Sequence, residues 1–448
     1  MTQRGTYSGS ALVVVMVFVA IFGALAAGYL SAANTNLQAA KLYADSRRAH
    51  VAAESGLRFV CHHLPEVDIQ DTTDASETLQ AIADALNGQF RDTLFGGQTA
   101  TVDDDGVFLP AVILNFPEGQ AAFQVRVLAL SDSDYQVLSN GTSRQCAKTV
   151  SAGFLAAKDS WFLAAFGVAS KSRIKMSGNA CIEGANDDQE GSVLSATYSA
   201  TRAIDMCGNI DISGDVSVTN PDGEVRMVGH ASIGGDIVIG AEEPQFPEVD
   251  TSVFELYAIN PVGPGTPTGG NQYFENIRIL ANTNPTFSGN TTIRGVVYVE
   301  SPNTVKFTGN LDLVGLVVAE PPPGELDLSN HSIKFTGNTS TGGVAALDGD
   351  PQFDGLRDLD GSFILAPGYE VEFTGNFSTI NGSMVASKFK LTGNAGGTIN
   401  GSLINLHDTD FVMTGNSHLT INHDGMDDDP AGIEFPRRLT YVAGSYSE

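Results

Sequence analysis

Phe287-Ser-Gly-Asn-Thr-Thr-Ile-Arg-Gly-Val-Val-Tyr-Val299 is followed twenty residues later by Phe307-Thr-Gly-Asn-Leu-Asp-Leu-Val-Gly-Leu-Val-Val-Ala319. Each stretch reads as a large apolar residue, a hydroxyl residue, Gly-Asn, a short alternating segment, a second Gly and a β-rich run. The first half recurs at Met176-Ser-Gly-Asn179, Met206-Cys-Gly-Asn209, Phe335-Thr-Gly-Asn338, Phe373-Thr-Gly-Asn376, Leu391-Thr-Gly-Asn394 and Met413-Thr-Gly-Asn416, making eight copies in one phase. The steps between their glycines are 30, 81, 20, 28, 38, 18 and 22 residues. The short steps define one coil. The long ones fit a coil plus an insertion, or several coils. Self-similarity at a fixed period is the signature of stacked repeats. A coil of three short strands implies a parallel β-helix. Gly then supplies φ > 0 at the corners. Asn179, Asn209, Asn290, Asn310, Asn338, Asn376, Asn394 and Asn416 would hydrogen-bond to their equivalents above and below as a turn ladder.

The repeats are assigned to residues 161–425, with a Pro- and Gly-rich surface insertion at 241–286 and a second, Asp-rich insertion at Asp348–Gly361. The ends of such a stack are sheet edges that need covering. Trp161–Val168 is assigned to the first coil or its cap. The tail, 426–448, is assigned to the other end or to packing back on the chain. Upstream, residues 66–160 read as a small α+β domain. Periodic apolar positions at Leu79, Ile82 and Leu86 predict a short helix within Asp68–Leu86. Alternation through Val125, Val127 and Ala129 predicts half-buried strands. Ser139-Asn-Gly-Thr142 reads as a hairpin turn. Asp103-Asp-Asp-Gly106 reads as a solvated turn, because a distant bidentate Glu for calcium is not evident.

No Asp, Glu, Lys or Arg occurs between Arg4 and Lys41. Within that window Ala11–Leu30 is apolar throughout, and twenty helical residues span about 30 Å, the thickness of a hydrocarbon core. The run exceeds the 7–15-residue apolar centre of a secretory signal peptide. Arg4 before it and a long acidic remainder after it place the N-terminus in the cytoplasm. Leu42, Ala49, Ala53, Leu57 and Val60 then mark one face of a continuing helix, which Pro65 stops. The helix is assigned to residues 10–65.

Gly9-Ser-Ala-Leu-Val-Val-Val15 followed by Ser46-Arg-Arg-Ala-His-Val-Ala-Ala-Glu-Ser-Gly-Leu57 resembles the N-terminal domain of PilX-type minor pilins. It is also similar to the related minor pseudopilins of type II secretion. The resemblance covers about an eighth of the chain. It implies a leader, 1–9, cut by a prepilin peptidase between Gly9 and Ser10. It also implies a helix that assembles with other pilin-like subunits, with Val14, Arg48, Ala52, Ala53, Glu54 and Gly56 as its assembly positions, and a pilin-like α+β head. Val14 departs from the pattern, because most pilins carry Glu there. A tip or initiator role suits that departure better than a shaft role. The implied location is the bacterial inner membrane, single-pass, with the C-terminal part periplasmic or exported.

The formal net charge is −28, with 24 Lys plus Arg against 52 Asp plus Glu. Such a surface repels phosphate backbones, so no nucleic-acid partner is expected. Four cysteines, Cys61, Cys146, Cys181 and Cys207, allow three disulfide connectivities. Proximity in the chain pairs Cys181 with Cys207 and leaves Cys61 with Cys146. None sits in a CxxC pair and no His lies at a metal-ligand spacing from one, so no metal site and no cofactor are expected. GxSxG, HExxH and phosphate-loop motifs do not occur. Asp211, Asp215 and Asp236 are the best acidic group for polysaccharide chemistry, and read as solvated coil positions. His62-His63 reads as a polar junction. The expectation is a mainly β, non-enzymatic, membrane-anchored protein, with homo-oligomerisation a further expectation. The alternatives are an anchored adhesive or structural envelope protein with a self-associating β-helix and, third, an anchored polysaccharide-active enzyme.

Overall fold

The computed structural model describes residues 8–67, 75–90, 99–103, 106–117, 119–131, 133–158, 165–324, 326–424, 426, 430–435 and 437–448. The chain is mainly β with one long N-terminal helix, and it divides into two compact units: residues 1–158 with 437–448, and residues 159–436.

In the first unit, helix α1 spans Ser8–His63, about 84 Å at 1.5 Å per residue. Pro65 lies in the 3₁₀ turn Leu64–Glu66 that ends it. A second helix, α2, spans Ala75–Phe90. The strands Thr101–Asp103, Gly106–Phe116, Gly119–Ala129, Asp134–Ser143 and Cys146–Lys158 form an antiparallel meander. Strand Arg437–Tyr441 adds to its edge against Cys146–Lys158, so the tail is split between the two units. Alternate strand residues, including Val107, Phe123, Val125, Val137, Val150 and Phe154, are buried with Ala52, Ala53, Leu57 and Val60 of α1 and Leu79, Ile82 and Leu86 of α2. Asn140-Gly141 is not the hairpin turn that its type suggests. The strand runs through it, and the turn falls at Arg144-Gln145, with Arg144 at φ 51°. Gly141 is required for another reason. A Cβ there would lie 1.9 Å from the Ala49 carbonyl oxygen, so α1 rests on bare backbone.

In the second unit, 22 strands among the described residues form one sheet, and every pairing within it that has a resolved register runs parallel. Asn290–Val299 pairs residue for residue with Asn310–Ala319, at an offset of twenty. The apolar residue of each repeat falls on one line: Phe287, Phe307, Phe335, Phe373, Leu391, Met413, Met176, Met206 and Met227 are successive register partners. That line is out of chain order. Met413, in the last repeat copy, abuts Met176, in the first. Strands Leu403–Asn405, Phe411–Gly415 and His418–Asn422 pair with Val168–Ser170 and Ile174–Gly184. The chain therefore enters the stack in its middle, builds to one end at Ile237–Ile239, and restarts at the other end with Asn260–Val262 and Gln272–Ile279.

Three expectations change with this order. Val168 begins an interior layer, flanked by Leu403–Asn405 and Val193–Ser195, not an end cap; Trp161–Ala164 lie outside the described residues. The span 241–286 is not wholly an excursion, because Asn260–Val262 and Gln272–Ile279 are strands of the sheet. What precedes them packs down: Phe246, Phe254 and Ala258 are buried with Val296, Tyr298, Leu316, Val318, Leu365, Val385 and Ile404. The Asp348–Gly361 insertion contributes Phe353 and Leu356 to the same cluster. The sequence signal is the unbroken run Val296-Val-Tyr-Val299. A strand with one wet face alternates, whereas one buried on both faces is apolar throughout. Val297 and Val299 point into the inner core and Val296 and Tyr298 into this outer one.

Candidate functional site

The feature that most constrains function is the free half of α1. From Leu12 to Tyr43 the helix is exposed, with Leu12, Val15, Phe18, Phe22, Leu25 and Leu30 each more than half accessible. Its most apolar 18-residue window has a mean hydropathy of 2.5 and none of it is buried within the chain, so the helix is long and apolar enough to cross a membrane. Leu42 is exposed, whereas the rest of its predicted stripe, Ala49, Ala53, Leu57 and Val60, is buried. The change from free to docked falls at Asp45. This buried carboxylate pairs with Arg48 at 3.2 Å and Arg144 at 3.7 Å.

The residues that the pilin resemblance nominates for assembly divide accordingly. Val14 is about half exposed and faces outward. Ala52 and Ala53 are fully buried against the chain's own sheet. Gly56 lets Phe123 and Ser139 approach so closely that a Cβ would meet them at 2.6 and 2.5 Å. Glu54 lies between His50 at 3.5 Å and Arg58 at 3.9 Å. The Ala-Ala-Glu-Ser-Gly-Leu pattern thus docks the helix on its own sheet, and Ala52, Ala53 and Gly56 are not free for a partner helix. Gly9 and Ser10 lie within α1, and leader residues 1–7 lie outside the described residues. Asp104 and Asp105 of the acidic turn, and the 68–74 part of the predicted short helix, also lie outside them. Asp103 pairs with Arg126 at 2.6 Å.

On the β unit, the Asn side chains form hydrogen-bonded files. Asn290 donates to Asn271, Asn310 to Asn290 and Asn338 to Asn310, at 3.0, 3.0 and 3.4 Å. Asn416 donates to Asn394 and Asn179 to Asn416 at 3.4 and 3.0 Å. Asn209 is in register with Asn179, and Asn376 with Gly396. A second file lies outside the Gly-Asn repeat motif: Asn400 donates to Asn381, Asn422 to Asn400 and Asn186 to Asn422, at 2.7, 2.9 and 2.8 Å. Its signal is the repeated Asn-Gly at 381–382 and 400–401. Below the files, Phe287, Phe307, Phe335 and Phe373 stack with centroids 4.7 to 5.1 Å apart.

Neither predicted disulfide forms; all four cysteines are free. Cys146 Sγ lies 3.8 Å from the Leu42 carbonyl, and Cys61 is nineteen helical residues further along α1, roughly 28 Å away. Cys207 is in register with Ser177, and Cys181 with Asp211, four positions along the strand. Of the acidic group, Asp211 accepts from Ser232 at 2.7 Å and Asp215 accepts the Asp236 backbone N–H at 2.7 Å, so these carboxylates hold neighbouring layers together. Cys181 has different neighbours from those that sequence spacing suggests. Its thiol, the Glu183 carboxylate and the His418 imidazole lie within 4.8 Å of one another. Burial, then the charges of Glu183 and Asp211, push the Cys181 thiol up to about 11.

No family model and no curated protein matches the chain. Among solved structures, the competence-associated pilin ComZ from Thermus thermophilus is 12% identical, over 90% of this chain and 97% of that chain. Its TM-score of 0.27 is too low to carry an argument about fold or function.

Proposed function

We propose that the chain is a membrane-anchored, pilin-like subunit: a minor pilin or pseudopilin of a type IV pilus or type II secretion-type assembly, presenting a parallel β-helix outside the cytoplasm and acting without catalysis. The observation that carries this reading is the division of α1. Its first half offers a bare apolar surface that only lipid or other helices can cover, and its second half is fixed on an antiparallel sheet. One rigid element thus joins a membrane or filament core to a folded head. Arg4 ahead of the apolar run and the acidic remainder behind it favour a cytoplasmic N-terminus in the bacterial inner membrane. Cleavage between Gly9 and Ser10 by a prepilin peptidase would free the helix for assembly. Val14 in place of Glu suits a terminal position.

N-terminal sequencing of the membrane-extracted protein tests processing, with Ser10 as the expected first residue and an intact Met1 as the refuting one. A photo-crosslinker at Val14 should capture other pilin-like subunits; capture of lipid alone rejects filament membership. One observation favours self-association as a second reading. Ile237, Val238 and Ile239 are 41 to 48% exposed in a strand paired with Val216–Val218. Under that reading Val238→Lys should convert an oligomer in detergent to a monomer.

A further inference from the structure

We propose that Cys181, Glu183 and His418 form a binding site for a divalent transition-metal ion of the Zn²⁺ class, and that the ion clips the first-entered layer of the stack to the last. The three donor groups lie within 4.8 Å of one another. They come from two adjacent parallel strands, Ile174–Gly184 and His418–Asn422, in which His418 is the register partner of Cys181 and Thr420 that of Glu183. Cys181 and Glu183 are two residues apart, so their side chains leave the same face of the strand; Ile182 between them is fully buried. The sheet itself therefore sets two donors side by side and the third one step along.

The details of the cluster favour an ion. His418 Nε2 lies 2.7 Å from Glu183 Oε1, and Thr420 Oγ1 donates to the same oxygen at 3.2 Å. This hydroxyl orients the carboxylate as outer-shell partners of metal ligands do. A thiolate, an imidazole and one carboxylate suit Zn²⁺ and its neighbours, whereas Mg²⁺ and Ca²⁺ prefer oxygen alone. Tetrahedral donors sit roughly 3.3–3.8 Å apart, given bonds of about 2.0–2.3 Å. Donors at the 4.8 Å limit must close by about an ångström, whereas His418 Nε2 and Glu183 Oε1, at 2.7 Å, must open by about half an ångström and the imidazole must give up the proton between them. The half-exposed Glu183 and His418 side chains accommodate both shifts. A cleft of about 370 Å³, lined by Cys181, His418, Asp211, Asn179, Asn209 and Asn416 among others, opens beside two of the three donors and leaves room for a water as fourth ligand.

The placement gives the site its purpose. These strands meet where the chain closes on itself, joining residues more than 230 apart in sequence. Closing so long a loop is where a metal clip gains most. The site is independent of whether α1 enters a filament.

The test uses the full chain in detergent, reduced, stripped of metal by chelation and titrated with Co²⁺ as the probe. Wild type should develop a thiolate-to-cobalt charge-transfer band with tetrahedral d–d bands. Cys181→Ser should abolish the charge-transfer band. His418→Gln and Glu183→Gln should each weaken Co²⁺ binding by more than about 100-fold, beyond the effect of losing an outer-shell partner. Cys207→Ser should leave the spectrum unchanged. Zn²⁺ should raise the thermal midpoint of wild type but not of His418→Gln. If Cys181→Ser fails to fold, the two variants with exposed side chains decide the matter. The proposal is overturned by an octahedral aquo-type spectrum in wild type. A band that persists in Cys181→Ser, or that is indifferent to both His418→Gln and Glu183→Gln, also overturns it.

Discussion

Phe335 lies in the middle of the aromatic file, between Phe307 and Phe373, with its ring centroid 5.1 and 4.7 Å from theirs and 1% of its surface accessible. Neighbours on both sides are held by their own layers and cannot collapse into a gap. Phe335→Ala should therefore cost about 3–5 kcal/mol, the upper range for a large-to-small core change, read as a lower denaturant midpoint of the β unit. Outside the core, Glu372 receives Lys334 at 2.7 Å and Lys390 at 3.2 Å from flanking layers. Burial opposes its charge, but hydrogen bonds from the two lysines outweigh burial and hold its carboxyl below the usual range. A depressed folded value stabilises fully above the unfolded value, about 4.3, and the gain is lost as pH falls through the folded value. Glu372→Gln should thus destabilise by about 1–2 kcal/mol at neutral pH, after discounting for the partly exposed lysines. The difference from wild type should shrink progressively as pH falls below the unfolded value, which urea titrations at neutral pH and at a series of acid pH values would show. These residues were legible to different degrees. The Phe file follows from eight phased motifs. The Lys–Glu–Lys triad draws one residue from each of three neighbouring layers, and nothing local marks it.

At the scale of elements, α1 and its sheet are fitted through glycine. Gly141 has no room for a Cβ under the helix backbone, at 1.9 Å from Ala49 O and 2.4 Å from Ala53 N. Gly141→Ala should lift α1 from the sheet and expose Ala52, Ala53 and Leu57. Amide exchange across residues 45–64 should then rise while strands far from the helix stay protected; unchanged exchange would refute this contact. The sequence marked the helix, its apolar half and its stop at Pro65, because each has a local cause. It mis-set the hairpin because Asn-Gly is the commonest signal for a tight turn, whereas here the glycine is needed by a helix some ninety residues upstream. A similar substitution of reasons runs through the Gly-Asn repeats. Several of those glycines have positive φ, but at Gly309 and Gly337 the governing fact is the preceding layer's carbonyl oxygen, 1.8 Å from where a Cβ would be. Pattern identified the residue type, and packing supplied the cause.

For the whole β unit, the decisive property is the order of its layers. Repeats that are nearly interchangeable carry no local record of which copy abuts which, so Met413 matches Met176 as well as Phe373 matches Leu391. The non-sequential order is testable by cutting the chain where it passes from one end to the other. A protease site placed at the exposed pair Glu242-Glu243, in a chain ending at Phe435 so that strand Arg437–Tyr441 cannot hold the pieces, should give fragments that stay together on a native gel. They should separate only in denaturant, because the paired strands at 168–184 and 403–422 hold them. Fragments that part without denaturant would refute the closure. This closure also has a consequence in time. A chain emerging N-terminus first lays down residues 168–239 with one strand edge waiting for partners more than two hundred residues away. Contacts so distant in sequence form late, and an unpaired edge invites association with other chains while it waits. Completion of the fold therefore reports that synthesis or export has reached the last layer, and a prematurely ended chain leaves its middle open.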